Sequence, residues 1–204
     1  MKLKELFEEV FKYDVNINDK DIKDGYFKEH EWSDKELNGI FNVVSTDGIK
    51  TLKNSPKIVN EFTCSGCTDL SSLVGGPEEV RVFCDFDFCT KLSSMEGAPK
   101  IIGSSITLEK TSIKSFEGIG RDYLTTVRDT IWFPQSLESN VLGLMKVQGL
   151  KKIQALQFEL TNTLRYPAQS AMARIINKHL KSGKNINKCK SELKEAGLEE
   201  YAQL

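Results

Sequence analysis

The residues best placed for chemistry in this chain are its cysteines, because four of the five lie close together. Cys64, Cys67, Cys84 and Cys89 form a C-x2-C-x16-C-x4-C array. That is near the spacing of four-thiolate zinc sites, in which sulfur ligands surround a tetrahedral ion. A zinc-stabilised module or a zinc enzyme is therefore one reading. Asp85 and Asp87 are two residues apart, so a strand would set both carboxylates on one face. An acid–base pair would also need a desolvating pocket to separate the two pKa values, and none is predicted around them. His30 lies in the charged run Lys28-Glu29-His30-Glu31, and His179 sits among apolar residues of a helical stretch. Neither is set beside a nucleophile. No phosphate loop, nucleophile elbow or dinucleotide fingerprint occurs. The polar stretch from Asn16 to Asp24 fails as a calcium loop, because counting from Asp19 puts Lys23 fifth and Asp24 sixth, where the loop needs glycine. These residues predict no catalysis and no cofactor.

The elements that must position these residues are repeated. Leu70-Ser71-Ser72-Leu73-Val74-Gly75-Gly76-Pro77 returns as Leu92-Ser93-Ser94-Met95-Glu96-Gly97-Ala98-Pro99 and as Ile113-Lys114-Ser115-Phe116-Glu117-Gly118-Ile119-Gly120. An upstream copy is Ile49-Lys50-Thr51-Leu52-Lys53-Asn54-Ser55-Pro56, and the copies start 21, 22 and 21 residues apart. Leu144-Met145-Lys146-Val147-Gln148-Gly149-Leu150 reads as a fifth, worn copy. Between the blocks runs an apolar-x-apolar triplet: Phe41-x-Val43, Phe62-x-Cys64, Cys84-x-Phe86, Ile106-x-Leu108 and Ile131-x-Phe133. Its steps are 21, 22, 22 and 25. Alternation of period two predicts strands with one face buried, and the Gly/Pro/Ser blocks predict turns. One strand per turn of about 22 residues predicts a leucine-rich-repeat-like α/β solenoid with a parallel sheet of about five strands. The step of 25 requires an insertion, placed at Arg121-Asp122-Tyr123-Leu124 as a bulged loop. The repeat also gives the cysteines a second reading. Cys64 shares a column with Phe86 and Leu108, Cys84 shares one with Phe62 and Ile106, and Cys67 and Cys89 share one with Thr111. Free cysteine in such columns is a small hydrophobe, so no metal is needed.

Composition agrees with a solenoid. Hydrophobic residues make up 39% of the 204, thin for one compact core but workable where each repeat buries its edges on its neighbours. The net charge of −1 supplies no field for nucleic acid or an anionic membrane. No apolar run is long enough to span a bilayer, and the acids within the first residues argue against a signal peptide. Free thiols then suit a reducing cytoplasm. Leu3, Leu6, Phe7, Val10 and Phe11 recur at helical spacing, so residues 1–39 are expected to be a helical N-terminal cap. The solenoid follows over 40–153. Residues 154–204 are expected to be a helical C-terminal cap, with one helix opened by Pro167 and closed by Gly183, and another from about Asn187 to Ala196.

The Leu-Ser-Ser-Leu-x-Gly-x-Pro and Phe-x-Cys blocks, with Ile175-Ile176-Asn177-Lys178-His179-Leu180 and the Cys189–Ala202 tail, resemble the short leucine-rich-repeat-like proteins of large tailed, myovirus-type bacteriophages. The resemblance covers residues 40–204 and departs from the pattern after Phe116, where Gly120 replaces proline. It implies a phage protein in the host cytoplasm and is nearly silent on activity.

The outward face then becomes the candidate site. Asn42, Thr63, Asp85, Thr107 and Trp132 lie between the buried pairs, flanked by Glu61, Phe83 and Ser105 and by Ser65, Asp87 and Glu109. Repeat proteins bind along such faces, and aromatics anchor interfaces. The expected function is a non-catalytic module binding a host protein through Glu61, Thr63, Phe83, Asp85, Asp87, Thr107, Glu109 and Trp132. An alternative is an inhibitor or antitoxin-like antagonist of a host defence enzyme, working through the acidic face. No nucleic acid, membrane or small-molecule substrate is expected, and Trp132 is expected to be exposed.

Overall fold

A computed structural model describes residues 10–155 and 167–204. Two short strands, β1 (Val10–Phe11) and β2 (Val15–Asn16), precede a 3-10 turn at Asp19–Asp21 and a small antiparallel pair, β3 (Ile22–Lys23) with β4 (Tyr26–Phe27). Two longer strands follow, β5 (Glu36–Asn42) and β6 (Ile58–Thr63). From there the strands come in pairs: β7 (Glu79–Val80) with β8 (Cys84–Asp85), β9 (Ile101–Ile102) with β10 (Ile106–Thr107), and β11 (Thr126–Val127) with β12 (Thr130–Trp132). β13 (Lys152–Gln154) closes a β-solenoid of about six turns, and α1 (Pro167–Lys181) and α2 (Ile186–Glu195) follow it.

The expected triplets align in one parallel sheet. Phe41 pairs with Phe62, Phe62 with Cys84, Cys84 with Ile106, Ile106 with Ile131 and Ile131 with Ile153. A second parallel ladder was not anticipated. Leu37, Val59, Val80, Ile102 and Val127 stack one turn above another, all fully buried. The chain bends between the two ladders from the third repeat onward, splitting what β6 carries as one strand.

Two left-handed corners per turn close the four coils that begin at Phe41, Phe62, Cys84 and Ile106. Ser45, Gly66, Phe88 and Lys110 share one, with φ of 51°, 74°, 61° and 57°. Asn54, Gly75, Gly97 and Gly118 share the other, with φ of 66° to 84°. Glycine suits the second corner twice over: a Cβ on Gly97 would sit 2.5 Å from the Val74 nitrogen. The serine three residues before each glycine of that corner has its own task. Ser72, Ser94 and Ser115 Oγ accept the N–H two residues on, at 3.2, 3.1 and 3.1 Å, which satisfies a donor that the turn would strand.

Large and small side chains trade places between adjacent core columns. Phe62 sits beside Cys64 in one turn, and Cys84 beside Phe86 in the next. The Phe62 and Phe86 rings meet at 5.8 Å, and Phe62 stacks on Phe41 at 5.5 Å. The cysteines are therefore the small partners that keep each layer's volume constant.

Three expectations need correction. The described part of the N-terminal segment is not a helical cap. Val10–Phe11 and Val15–Asn16 are strands laid parallel on β5, because the first sheet edge has unpaired backbone groups to satisfy. Leu3, Leu6 and Phe7 lie outside the described residues. The worn copy beginning at Leu144 is out of register. Thr126 bridges Gln148, so Gly149 falls in the Val127 column, and the true counterpart of the 113–116 block is Leu137 to Asn140, with Ser139 opposite Ser115. The solenoid's lower limit also shifts, since β5 already begins at Glu36. The insertion lies where it was expected. Gly120 N–H donates to the Tyr123 carbonyl at 2.9 Å, and Leu124 rejoins the coil through the Pro99 carbonyl at 3.0 Å.

At the far end α1 closes the sheet. The Asn177 amide donates to the Ile153 carbonyl at 2.9 Å and accepts its N–H at 2.8 Å. A single side chain thereby continues the ladder that β13 would leave open.

Candidate functional site

The outward sheet face is built by the residues alternating with the buried columns. Its central row is Asn42, Thr63, Asp85, Thr107 and Trp132, continued by Gln154. Glu61 and Phe83 lie before that row, and Val44, Ser65, Asp87 and Glu109 lie after it. Glu61, Thr63, Phe83, Asp85, Asp87 and Trp132 are all half-buried. The row from Asn42 to Trp132 and its two flanks hold four carboxylates and no lysine or arginine before Lys152 in β13.

The face is not uniformly open. Thr107 and Glu109 are buried, at 4% and 7% exposure, and so is Ser105. Trp132 is half-buried rather than exposed, which corrects the expectation of a bare indole. Ser105, Thr107, Glu109, Thr130 and Gln154 are buried from the fourth repeat on, so the more open part of the face lies over the turns before it, those of Thr63 and Asp85.

Asp85 and Asp87 are organised as a pair. Asp85 Oδ1 accepts the Asp87 N–H at 2.8 Å. Asp87 Oδ1 accepts the Glu109 N–H at 2.7 Å and the Thr107 hydroxyl. Burial pushes the Asp85 carboxyl up to about 6; the Asp87 charge adds to the rise, and the hydrogen bond from Asp87 N–H opposes it. Burial likewise raises Asp87, against the bonds from Thr107 and Glu109. The salt bridges of this half of the chain run elsewhere, Arg81 to Glu36 at 2.7 Å and Lys91 to Asp69 at 2.5 Å. The pair is thus held close and partly desolvated, and among the described residues neither carboxylate forms a salt bridge.

The cysteines occupy the core. Cys64, Cys67, Cys84 and Cys89 are free thiols at 0% exposure. Cys67 Sγ donates to the Val43 carbonyl at 2.8 Å, and Cys89 Sγ to the Cys64 carbonyl at 2.9 Å. Hydrogen bonding with the Cys67 and Cys89 thiols, together with burial, pushes the Cys64 thiol well above its ordinary pKa, and burial does the same to Cys84. Cys67 moves the other way, lowered by its hydrogen bond with Cys64 against burial, so Cys64 and Cys84 disfavour the thiolate and Cys67 does not. Among the described residues, no group of three or more His, Cys, Asp or Glu side chains is placed to hold a metal ion.

A groove between the terminal helices is lined in part by Lys178, Ser182, Ser191 and Glu192. His179 is buried there, with Nε2 2.8 Å from Glu192 Oε2, and Lys178 Nζ reaches the same carboxylate at 2.8 Å. That contact joins α1 to α2. No helix among the described residues is long and apolar enough to cross a membrane.

Sequence alternation set Asn42, Thr63, Asp85, Thr107 and Trp132 in one row, as the strand register has them, but gave no place to Phe88. That residue is 53% exposed at a left-handed corner, and the signal available was a bulky aromatic where the other turns place Ser45, Gly66 and Lys110. No protein-family model, curated protein or solved structure matches this chain.

Proposed function

We propose that this chain is a non-catalytic interaction protein that receives a partner protein on the outward sheet face of its second and third repeats. The observation that carries the reading is the Asp85–Asp87 pair, held half-buried by backbone and hydroxyl donors, with no salt bridge to either carboxylate among the described residues. Holding two carboxylates together out of water is unfavourable in the free protein, and a docking partner that brings positive charge relieves it. The resemblance to phage repeat proteins supports a setting in the cytoplasm of an infected cell, with a host protein as partner. Antagonism of a host defence enzyme is a second, narrower reading, favoured by the carboxylates of a face that holds no basic residue before β13.

Affinity purification from bacterial lysate tests this, using the wild-type chain and a Glu61→Lys/Ser65→Lys variant as baits. The proposal expects a partner retained by the first and lost by the second, with melting temperatures alike. A partner retained equally by both baits, or none retained by either, would overturn it.

A further inference from the structure

We infer that the third repeat carries the recognition element, and that its occupant is an arginine-bearing segment of a basic protein, seated on Asp85 and Asp87 between Phe83 and Phe88. The inference rests on the interaction reading above and names the chemistry of the partner.

Phe88 is anomalous in two independent ways. Its φ of 61° is left-handed, a region that bulky residues seldom occupy. Its ring is 53% exposed, so the fold gains little from burying it. The same corner is held by Ser45, Gly66 and Lys110 in the neighbouring turns, which shows that the coil does not need an aromatic there. A strained backbone and a large apolar side chain left in water both work against stability. Together they mark a position kept for something outside the fold.

Its neighbours say what that something is. Along one turn the sequence runs Phe83-Cys84-Asp85-Phe86-Asp87-Phe88. Cys84 and Phe86 point into the core, leaving Phe83, Asp85 and Asp87 half-buried and Phe88 exposed. Two aromatics therefore bracket two carboxylates on a single coil. A guanidinium satisfies both halves of such a row at once. Its planar fork pairs with carboxylates, and its flat face stacks on aromatic rings. An ammonium fits less well, being a compact, strongly hydrated charge without that plane. Glu61 on the turn before extends the negative surface toward a second cationic residue of the same segment. Among the described residues the outward row and its flanks hold no basic residue before Lys152, while Lys110 stands at the Phe88 corner one turn on, so the charge complementarity favours a segment that runs toward Glu61.

Fluorescence anisotropy tests the inference, with labelled nona-arginine, nona-lysine and nona-glutamate peptides as probes. The wild-type chain should bind nona-arginine roughly fivefold or more tightly than nona-lysine, and nona-glutamate not at all. Asp85→Asn/Asp87→Asn and Phe88→Asn should each weaken nona-arginine about tenfold, as loss of a charge pair or an aromatic anchor does. Glu96→Gln/Glu117→Gln, on the opposite loops, should not. Asparagine is chosen at 88 because it accepts the left-handed corner, as Asn54 does, so that variant should melt no lower than wild type. Equal binding of nona-arginine by all variants, or none, would overturn the inference. If Glu61→Lys/Ser65→Lys still abolishes capture from lysate while Phe88→Asn and Asp85→Asn/Asp87→Asn leave it intact, the interaction reading stands and the arginine assignment falls.

Discussion

Removing the Asn177 side chain should unseat the end of the solenoid. Its amide makes both a donated and an accepted hydrogen bond with the backbone of Ile153, at 2.9 and 2.8 Å. Ile153 is 1% exposed, so water cannot take over while α1 stays in place. Each bond contributes about 0.5–1.5 kcal/mol net, and each buried backbone group left unpaired costs about 1–3 kcal/mol. Partial relaxation of α1 recovers some of this, so Asn177→Ala should lose about 2–4 kcal/mol. For a chain of this size that corresponds to a fall of roughly 5–15 °C in melting temperature. Paired urea and thermal melts would measure it, with Asn187→Ala on the exposed side of the second helix as control. Hydrogen exchange at the Ile153 amide should accelerate in the variant, and the uncovered edge should promote self-association. A loss below about 0.5 kcal/mol, the ordinary range for surface changes, with unchanged exchange at Ile153, would refute the clamp.

Further outcomes follow from the core and the acidic pair. Cys64 and Cys84 should resist thiol reagents under native conditions and react on unfolding, since both are fully buried with raised pKa values; rapid native labelling would contradict the core assignment. Gly97→Ala should destabilise by at least about 2 kcal/mol, because φ is +83° and the new Cβ would meet the Val74 nitrogen at 2.5 Å; a neutral melt would contradict the corner geometry. The folded pKa of Asp85, about 6, lies above its ordinary 3.8, so the folded state holds the extra proton in that window and stability falls as pH rises through it. Asp85→Asn keeps the acceptor for Asp87 N–H and removes the titration. It should raise the melting temperature more near neutral pH than at about pH 4, and a gain independent of pH would contradict the desolvated pair.

Much of this architecture was legible in the sequence, for reasons specific to the residues. The Phe41, Phe62, Cys84, Ile106 and Ile131 column shows because each member has an apolar partner two residues on, and the register is then fixed by the step. The Val59, Val80, Ile102 and Val127 ladder does not show, because no member has a buried partner two residues away, and Val80 lies between Glu79 and Arg81. The helical spacing ahead of Phe11 was overridden at Val10–Phe11 by the open edge of β5, which takes a strand. The misplaced last copy had a similar cause. Asn140 stands where Phe116 does in the turn before, so the apolar signature vanishes while the backbone register persists through Ser115 and Ser139. Alternation also tells which way a side chain points but not what lies over it, which is why Thr107 and Glu109 read as exposed and are buried. Phe88 escaped for a related reason, since a left-handed corner breaks the alternation and gives the side chain no parity.

Carboxyl footprinting tests the central claim most directly. The captured complex and the free chain would each be labelled with a carbodiimide and an amine, and the modified acids read by mass spectrometry. The account predicts protection of Glu61, Asp85 and Asp87 in the complex, with Glu96, Glu117 and Glu138 labelled equally in both states. Protection of Glu96, Glu117 and Glu138, with Asp85 and Asp87 unchanged, would place the partner on the serine-bearing loops and contradict the sheet face as the binding surface.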